Sequence, residues 1–204
     1  MGGEIVRPEA FIPAAERFGL MAAIDRWVIR EGFSQYSEIF GRLPKAQIAI
    51  NLSGNSLDDD TLLDYVRAQF DAFSLAPNRV CFEITETIAV HHLNRAAEFV
   101  SEITRMGGCV ALDDFGSGLS SFSYLKSLPA TCLKIDGSFV RDMMESTLDQ
   151  AMVSAINEVG HVMGMTTIAE YAHSQAIVER LREMGVNYAQ GYALGIPKPL
   201  EEVS

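Results

Sequence analysis

The sequence predicts an α/β fold, an incomplete TIM-like (β/α) barrel of about six parallel strands with helices outside. Three features predict it. After Pro44 one unit recurs: a short β-rich run, a loop, then an amphipathic stretch. Within the runs, bulky apolar residues alternate with small or polar ones. Each run also ends in a polar residue, at the end where a β/α barrel keeps its chemistry.

In chain order, two helical segments come first, at 9–18 and 21–39, the second containing Trp27. Trp27 and the nine methionines are expected in the core. The strand runs follow: "QIAIN" ending at Asn51, "VCFE" at Glu83 and "CVALD" at Asp113. Then come "TCLKID" with Lys134 and Asp136, "TTIAE" ending at Glu170 and "NYAQ" ending at Gln190. Helical candidates lie between them at 56–73, 92–106, 120–127, 147–163 and 174–184. Such alternation means a parallel sheet covered by helices.

The alternation also assigns faces. Val80 and Phe82 oppose Cys81 and Glu83; Val110 and Leu112 oppose Cys109, Ala111 and Asp113; Leu133 and Ile135 oppose Cys132, Lys134 and Asp136. One face suits packing against helices, and the other leads to a functional group at the strand end. An open doubly wound sheet is the competing fold, but it gathers ligands at one switch point and needs no polar terminus on every strand. A closed barrel has eight strands and about 250 residues. The chain therefore reads as one domain over 1–204, cut at its N-terminal side, with exposed sheet edges that favour a homodimer.

Composition narrows the function. Hydrophobic residues make up 48% of the 204, enough for one substantial core. The formal charge of −11 argues against gripping a nucleic-acid polymer, but not against a small phosphorylated ligand held through metal ions. No apolar run is long enough for a membrane span and the start carries no signal-peptide pattern, so a cytoplasmic protein without membrane contact is expected. Cys81, Cys109 and Cys132 form no zinc spacing and read as buried reduced thiols.

The chemistry concentrates in "CVALDDFGSGLSSFSYL" (109–125), where an apolar strand runs into Asp113 and Asp114. Adjacent carboxylates repel, and burying either without a partner costs several kcal/mol. Together with Asn51, Glu83, Glu170 and Gln190 they form a set of hard oxygen donors suited to Mg²⁺ or Mn²⁺ rather than zinc. Two such ions about 4 Å apart stabilise both attacking and leaving oxygens in phosphodiester hydrolysis. Lys134 adds a positive charge able to orient a hydroxide or phosphoryl oxygen. Plainer readings exist for single residues. Glu83 or Glu170 alone could be a turn or cap residue, "FGSG" a flexible turn, Ser120 or Ser121 a helix cap, and His91-His92 a solvated helix start. The Asp pair also suits a phospho-acceptor receiver domain, which does not need six polar strand ends.

Motif by motif the chain resembles the EAL family: "INLS" (50–53), "FEITET" (82–87), "ALDDFGSGLSSFSYL" (111–125), "LKIDGSFV" (133–140), "IAE" (168–170) and "YAQGY" (188–192). The opening "PEAFIPAAERFGL" (8–20) resembles the segment that follows the family's second strand. The resemblance implies a cyclic-di-GMP phosphodiesterase of bacterial second-messenger signalling, yielding linear pGpG, or a non-catalytic receptor or dimerisation module derived from one. It implies that Asn51, Glu83 and Asp113 hold one Mg²⁺ or Mn²⁺, and Asp113, Asp114 and Glu170 the second. Glu170 would also be the base for the attacking water, Lys134 would touch that water or the phosphate, and Gln190 would support the site. Glu86 would brace the loop 115–121, and sensor or GGDEF domains would lie upstream. Two departures stand out. No Glu-Ala-Leu occurs, so a metal-ligating glutamate and a substrate-contacting arginine are missing, and the fragment is expected to be impaired. "AEGVE" reads "AEYAH", with His173 in place of the second glutamate. A Mg²⁺-dependent barrel lyase using Lys134 as base fits the strand ends but not the ordered motifs.

Overall fold

The computed structural model describes residues 6–39, 46–118, 122–199 and 202. Its six strands are β1 (Ile48–Asn51), β2 (Val80–Thr85), β3 (Cys109–Phe115), β4 (Cys132–Ile135), β5 (Thr166–Ala169) and β6 (Tyr188–Ala189). All neighbouring pairs are parallel, and the order across the sheet is the order in the chain. A doubly wound sheet would reverse direction at a switch point. Here every crossover steps the same way, so right-handed connections lay the helices along one side and leave the other as the lining of a half-barrel.

The two faces follow the alternation. Val80, Phe82, Ile84, Val110, Leu112, Leu133 and Ile135 are fully buried in one core shared with the helices. Helix α6 (Leu93–Arg105) meets them with Ala96, Phe99, Val100 and Ile103, the spacing of one helical face. Phe99 sits edge-on to Phe82 at 5.5 Å between ring centroids. The lining is small and polar instead: Cys81, Ala111 and Cys132 form a separate cluster, with Cys109 and Ile168 against it.

The remaining helices are α1 (Pro8–Arg17), α2 (Met21–Ile39), α3 (Gly54–Leu57), α4 (Leu62–Phe73), α5 (Glu86–His91), α7 (Gly137–Asp142), α8 (Thr147–Val162) and α9 (Gln175–Glu183). The stretch 56–73 is thus split into α3 and α4, and α5 precedes the helix expected at 92–106. Residues 122–127 form a 3₁₀ segment, and Ser120 and Ser121 lie outside the described residues. The short α7, which the apolar period does not reveal, is capped by Asp136, whose carboxylate accepts from the Ser138 N–H at 2.7 Å.

Trp27 is not core: it is 59% exposed. Helix α2 buries Met21, Asp25, Ile29, Phe33 and Tyr36, and Trp27 falls off that stripe. Met21, Met143 and Met165 are buried as expected, whereas Met144 and Met163 are exposed. His91 ends α5 and is exposed, and His92 is the N-cap residue at the start of α6, with Nδ1 2.9 Å from Asp58 Oδ1. Cys109 is only half-buried, unlike Cys81 and Cys132. Among the described residues no helix is long and apolar enough to cross a membrane.

Candidate functional site

Side chains of adjacent strand residues point to opposite faces, so Asp113 and Asp114 ought not to share a site. A bulge in β3 changes this. Leu112 pairs with Leu133 and Phe115 with Ile135, which places two residues of β3 where β4 has only Lys134 between. The extra residue is Asp114, at φ +53°, a conformation that aspartate tolerates better than most residues. Asp113, Asp114 and Glu170 then each bring a carboxylate oxygen within 4.8 Å of the others.

Lys134 is the cation at the centre. Its Nζ lies 2.7 Å from Asp113 Oδ1, 2.9 Å from Glu170 Oε1 and 3.1 Å from Glu83 Oε2. Three strands and the residue after a fourth therefore converge on one ammonium. Glu170 is placed there by its N–H, which donates to the Ile135 carbonyl and continues the β4–β5 ladder past Ala169. Four carboxylates, Glu83, Asp113, Asp114 and Glu170, surround one lysine, so full ionisation leaves a net charge of −3 (four minus one).

The titration shifts reflect that imbalance. Burial pushes Glu83 and Glu170 above the usual carboxylate range, with Lys134 opposing and Asp113 adding to the push. Partial desolvation and then the Asp113 charge raise Asp114. Burial alone would lower Lys134, but its hydrogen bonds and the surrounding carboxylates outweigh it and hold the ammonium above its ordinary value.

The other expected residues are placed differently. Asn51 ends β1 in register with Glu83, and its side chain is exposed. Gln190 follows β6, its N–H donating to Ala169 O and its carbonyl accepting from Ala172 N. It helps line a cavity of about 610 Å³ beside the carboxylates, with Asp114, Glu170, Arg141, Tyr171, His173 and Tyr192. Glu86 stands apart from Lys134. It is 2% exposed, and its Oε2 accepts from the Gly116 N–H at 2.9 Å, where the chain leaves β3. Gly116 itself has φ +98°.

Two features went unread in the sequence. Asp25 on α2 is buried, and its Oδ2 accepts from Ser53 N (2.8 Å), Ser53 Oγ (2.6 Å) and Ser56 Oγ (2.6 Å), fixing the turn just after Asn51. A lone acid on an amphipathic helix gives no sign of this. Arg141 reaches the cavity from α7, the helix too short to leave a periodic trace.

Known proteins resemble this chain in sequence and in fold. A phosphodiesterase, cyclic di-GMP phosphodiesterase PdeB of Shewanella oneidensis, is 45% identical over 198 residues, covering 97% of this chain and 23% of that protein. The structure of the PaMucR phosphodiesterase in complex with c-di-GMP superposes with a TM-score of 0.90 at 35% identity, covering 97% of this chain and 80% of that one. The FimX EAL domain from Pseudomonas aeruginosa bound to c-di-GMP gives 0.88 at 30% identity, covering 96% and 78%. The chain spans about a quarter of the length of the curated relatives it matches. The EAL domain family model matches residues 1–197, in keeping with six sequential strands and carboxylates gathered at their ends, and the chain belongs to the EAL domain family.

Proposed function

We propose that this domain hydrolyses cyclic-di-GMP to linear pGpG using Mg²⁺ or Mn²⁺. The observation that carries the reading is the grouping of Asp113, Asp114 and Glu170 within 4.8 Å, beside a cavity of nucleotide size. The donor set fits hard divalent ions, being carboxylates without a thiol or imidazole among them. Asp113, Asp114 and Glu170 would hold one ion, and Asn51, Glu83 and Asp113 the other. Bound there, the ions supply Lewis acidity toward a phosphoryl oxygen and toward water.

The chain's own residues do the rest. Glu170 takes a proton from the attacking water as oxygen adds to phosphorus and the bond to the ribose 3′-oxygen breaks. The departing 3′-oxygen takes up a proton from solvent to leave a hydroxyl on the opened ring. Lys134, fixed by three carboxylates, holds its positive charge where negative charge develops on the phosphoryl oxygens. Gln190 lines the cavity beside Glu170, and Glu86 holds the start of the loop after β3. Dimerisation is part of the same proposal, as are upstream signalling domains in the whole protein.

A second reading, ligand binding without turnover, is favoured by His173, which lines the cavity where the family's motif has a second glutamate. The experiment incubates the chain with cyclic-di-GMP and Mn²⁺, follows pGpG by chromatography, and measures binding in Ca²⁺. Turnover lost in Asp113→Asn supports hydrolysis. Binding with no pGpG supports the receptor, and neither binding nor turnover refutes both.

A further inference from the structure

The half-barrel lining carries a second reactive group, outside the carboxylate site. Cys81 on β2 and Cys109 on β3 are register partners and point to the same inner face. Neighbouring strands lie about 4.7–4.9 Å apart, inside the Cα separation of about 4.4–6.8 Å that a disulfide can span. The two side chains belong to the same cluster on the lining. Thr131 Oγ1 lies 3.3 Å from Cys109 Sγ, and the half-buried Cys109 opens onto a cavity of about 550 Å³ with Thr131, Gly107 and Gly108 in its wall.

We propose that Cys81 and Cys109 are an oxidisable dithiol, a site for peroxide-class oxidants at which the pair closes to an intramolecular disulfide between β2 and β3. All three cysteines line this cavity, and Cys109 is the attacking group because it alone is half-buried while Cys81 and Cys132 are buried. The Thr131 hydroxyl donates to the Cys109 sulfur at 3.3 Å, an interaction that favours the thiolate. The Cys109 thiolate attacks one peroxide oxygen, the O–O bond breaks, and the departing hydroxide or alkoxide takes up a proton. The sulfenic acid so formed is attacked by the Cys81 sulfur. Water leaves as the S–S bond forms. Two thiols supply two electrons, and one peroxide is reduced. Thiol–disulfide exchange with a reducing dithiol returns the bridge to two thiols. Cys132 shares the lining but pairs with Ala111, one step along, so it is the bystander.

The experiment treats the full chain with stoichiometric hydrogen peroxide at neutral pH, alkylates the free thiols, and reads intact mass and peptide maps. Its readouts are mass and thiol count, so its outcome is independent of whether the domain cleaves a nucleotide. Expected are loss of two hydrogens, one of the three thiols still alkylated, a Cys81–Cys109 cross-linked peptide, and full reversal by dithiothreitol. In Cys109→Ser the bridge is lost and thiol oxidation slows by about tenfold or more. In Cys81→Ser, oxidation stops at a sulfenic acid trapped by dimedone. Cys132→Ser bridges at the wild-type rate, and circular dichroism confirms that each variant folds. A Cys109–Cys132 bridge, a cross-link between chains, over-oxidation of Cys109 without a bridge, or three free thiols after treatment would each overturn the proposal.

Discussion

Replacing Lys134 by methionine tests the electrostatics of the site most directly. The change keeps chain length and apolar stem but removes a charge whose side chain is 4% exposed and lies 2.7–3.1 Å from three carboxylates. At an effective dielectric of about 20, each contact near 3 Å has a gross attraction of roughly 5 kcal/mol, most of it offset by desolvation. Removing one partner of a buried pair costs about 3–5 kcal/mol, because the charges left behind have no compensation. For a chain of this size that lowers the melting temperature by roughly 6–20 °C in chelator at pH 7.5. The pH dependence fixes the sign. Lys134 is held above its ordinary value, so its contribution is fully present below the unfolded lysine pKa and is lost as pH rises through the folded one. Glu83 and Glu170 have folded pKa values raised above the unfolded range, so the folded state takes up protons more readily there. Without the lysine they rise further, and the variant recovers stability relative to wild type as pH falls from 7.5 toward 5. Chemical denaturation of both proteins at the two pH values is the assay. Equal stability at pH 7.5, or a deficit that grows on acidification, would refute the claim that the ammonium neutralises this cluster.

Mn²⁺ at about 100 times its dissociation constant should stabilise the folded state by about 2.7 kcal/mol, a melting shift of roughly 5–11 °C. Asp113→Asn should remove the shift, and an undiminished one would place the ion elsewhere. Glu86→Ala leaves the Gly116 N–H without its acceptor. It should cost about 1–3 kcal/mol and speed amide exchange from residue 116 onward, so unchanged exchange would show that the loop is held by other contacts. Asp25→Ala strands the Ser53 and Ser56 donors. A loss of about 1–3 kcal/mol by urea denaturation is expected, together with a weaker Mn²⁺ response because Asn51 sits just before the freed turn. A wild-type metal response would show that the turn keeps its position unaided.

Much of this architecture was legible because a period of two is hard to disguise. "VCFE", "CVALD" and "TCLKID" each separate a bulky face from a small or polar one, and the structure buries Phe82, Leu112 and Leu133 on the helix side. Glu83, Asp113 and Lys134 fall on the lining, where the alternation puts them, and Lys134 is the positive partner that an adjacent Asp pair demands. Legibility failed where contacts rather than period decide. Trp27 belongs to an amphipathic helix whose stripe passes beside it, and size alone suggested burial. Helix α7 has six residues, too few to show a 3.6 period. Asp25 is indistinguishable in sequence from a solvated helix residue, because what it accepts lies 28 and 31 positions away.

That the carboxylates share one site is legible in the sequence; how Asp114 joins Asp113 there is not, since it depends on backbone conformation and contradicts the side-chain rule that reveals the strands. Three non-glycine residues among those described have positive φ: Ser74, Asp114 and Tyr171. Ser74 is an ordinary left-handed cap at the end of α4. Asp114 is itself a site carboxylate, and Tyr171 follows Glu170 directly. A bulky residue such as tyrosine at φ +58° is a true outlier, and such conformations cost on the order of 1–3 kcal/mol each. Both are held from behind. Phe115, after Asp114, is 2% exposed, and Ala172, after Tyr171, is fully buried. Ala172 also exchanges backbone hydrogen bonds with Gln190 and Ala193. At Gly191 a side chain is excluded altogether, because a Cβ there would come within 2.4 Å of Ala172 N and O. The packed strands thus force two turns of the chain that local preference opposes, at the ends of β3 and β5. The turn at the end of β3 carries Asp114 to the side of Asp113, where a regular strand would have sent it away, while Glu170 reaches that side by plain alternation from Ile168.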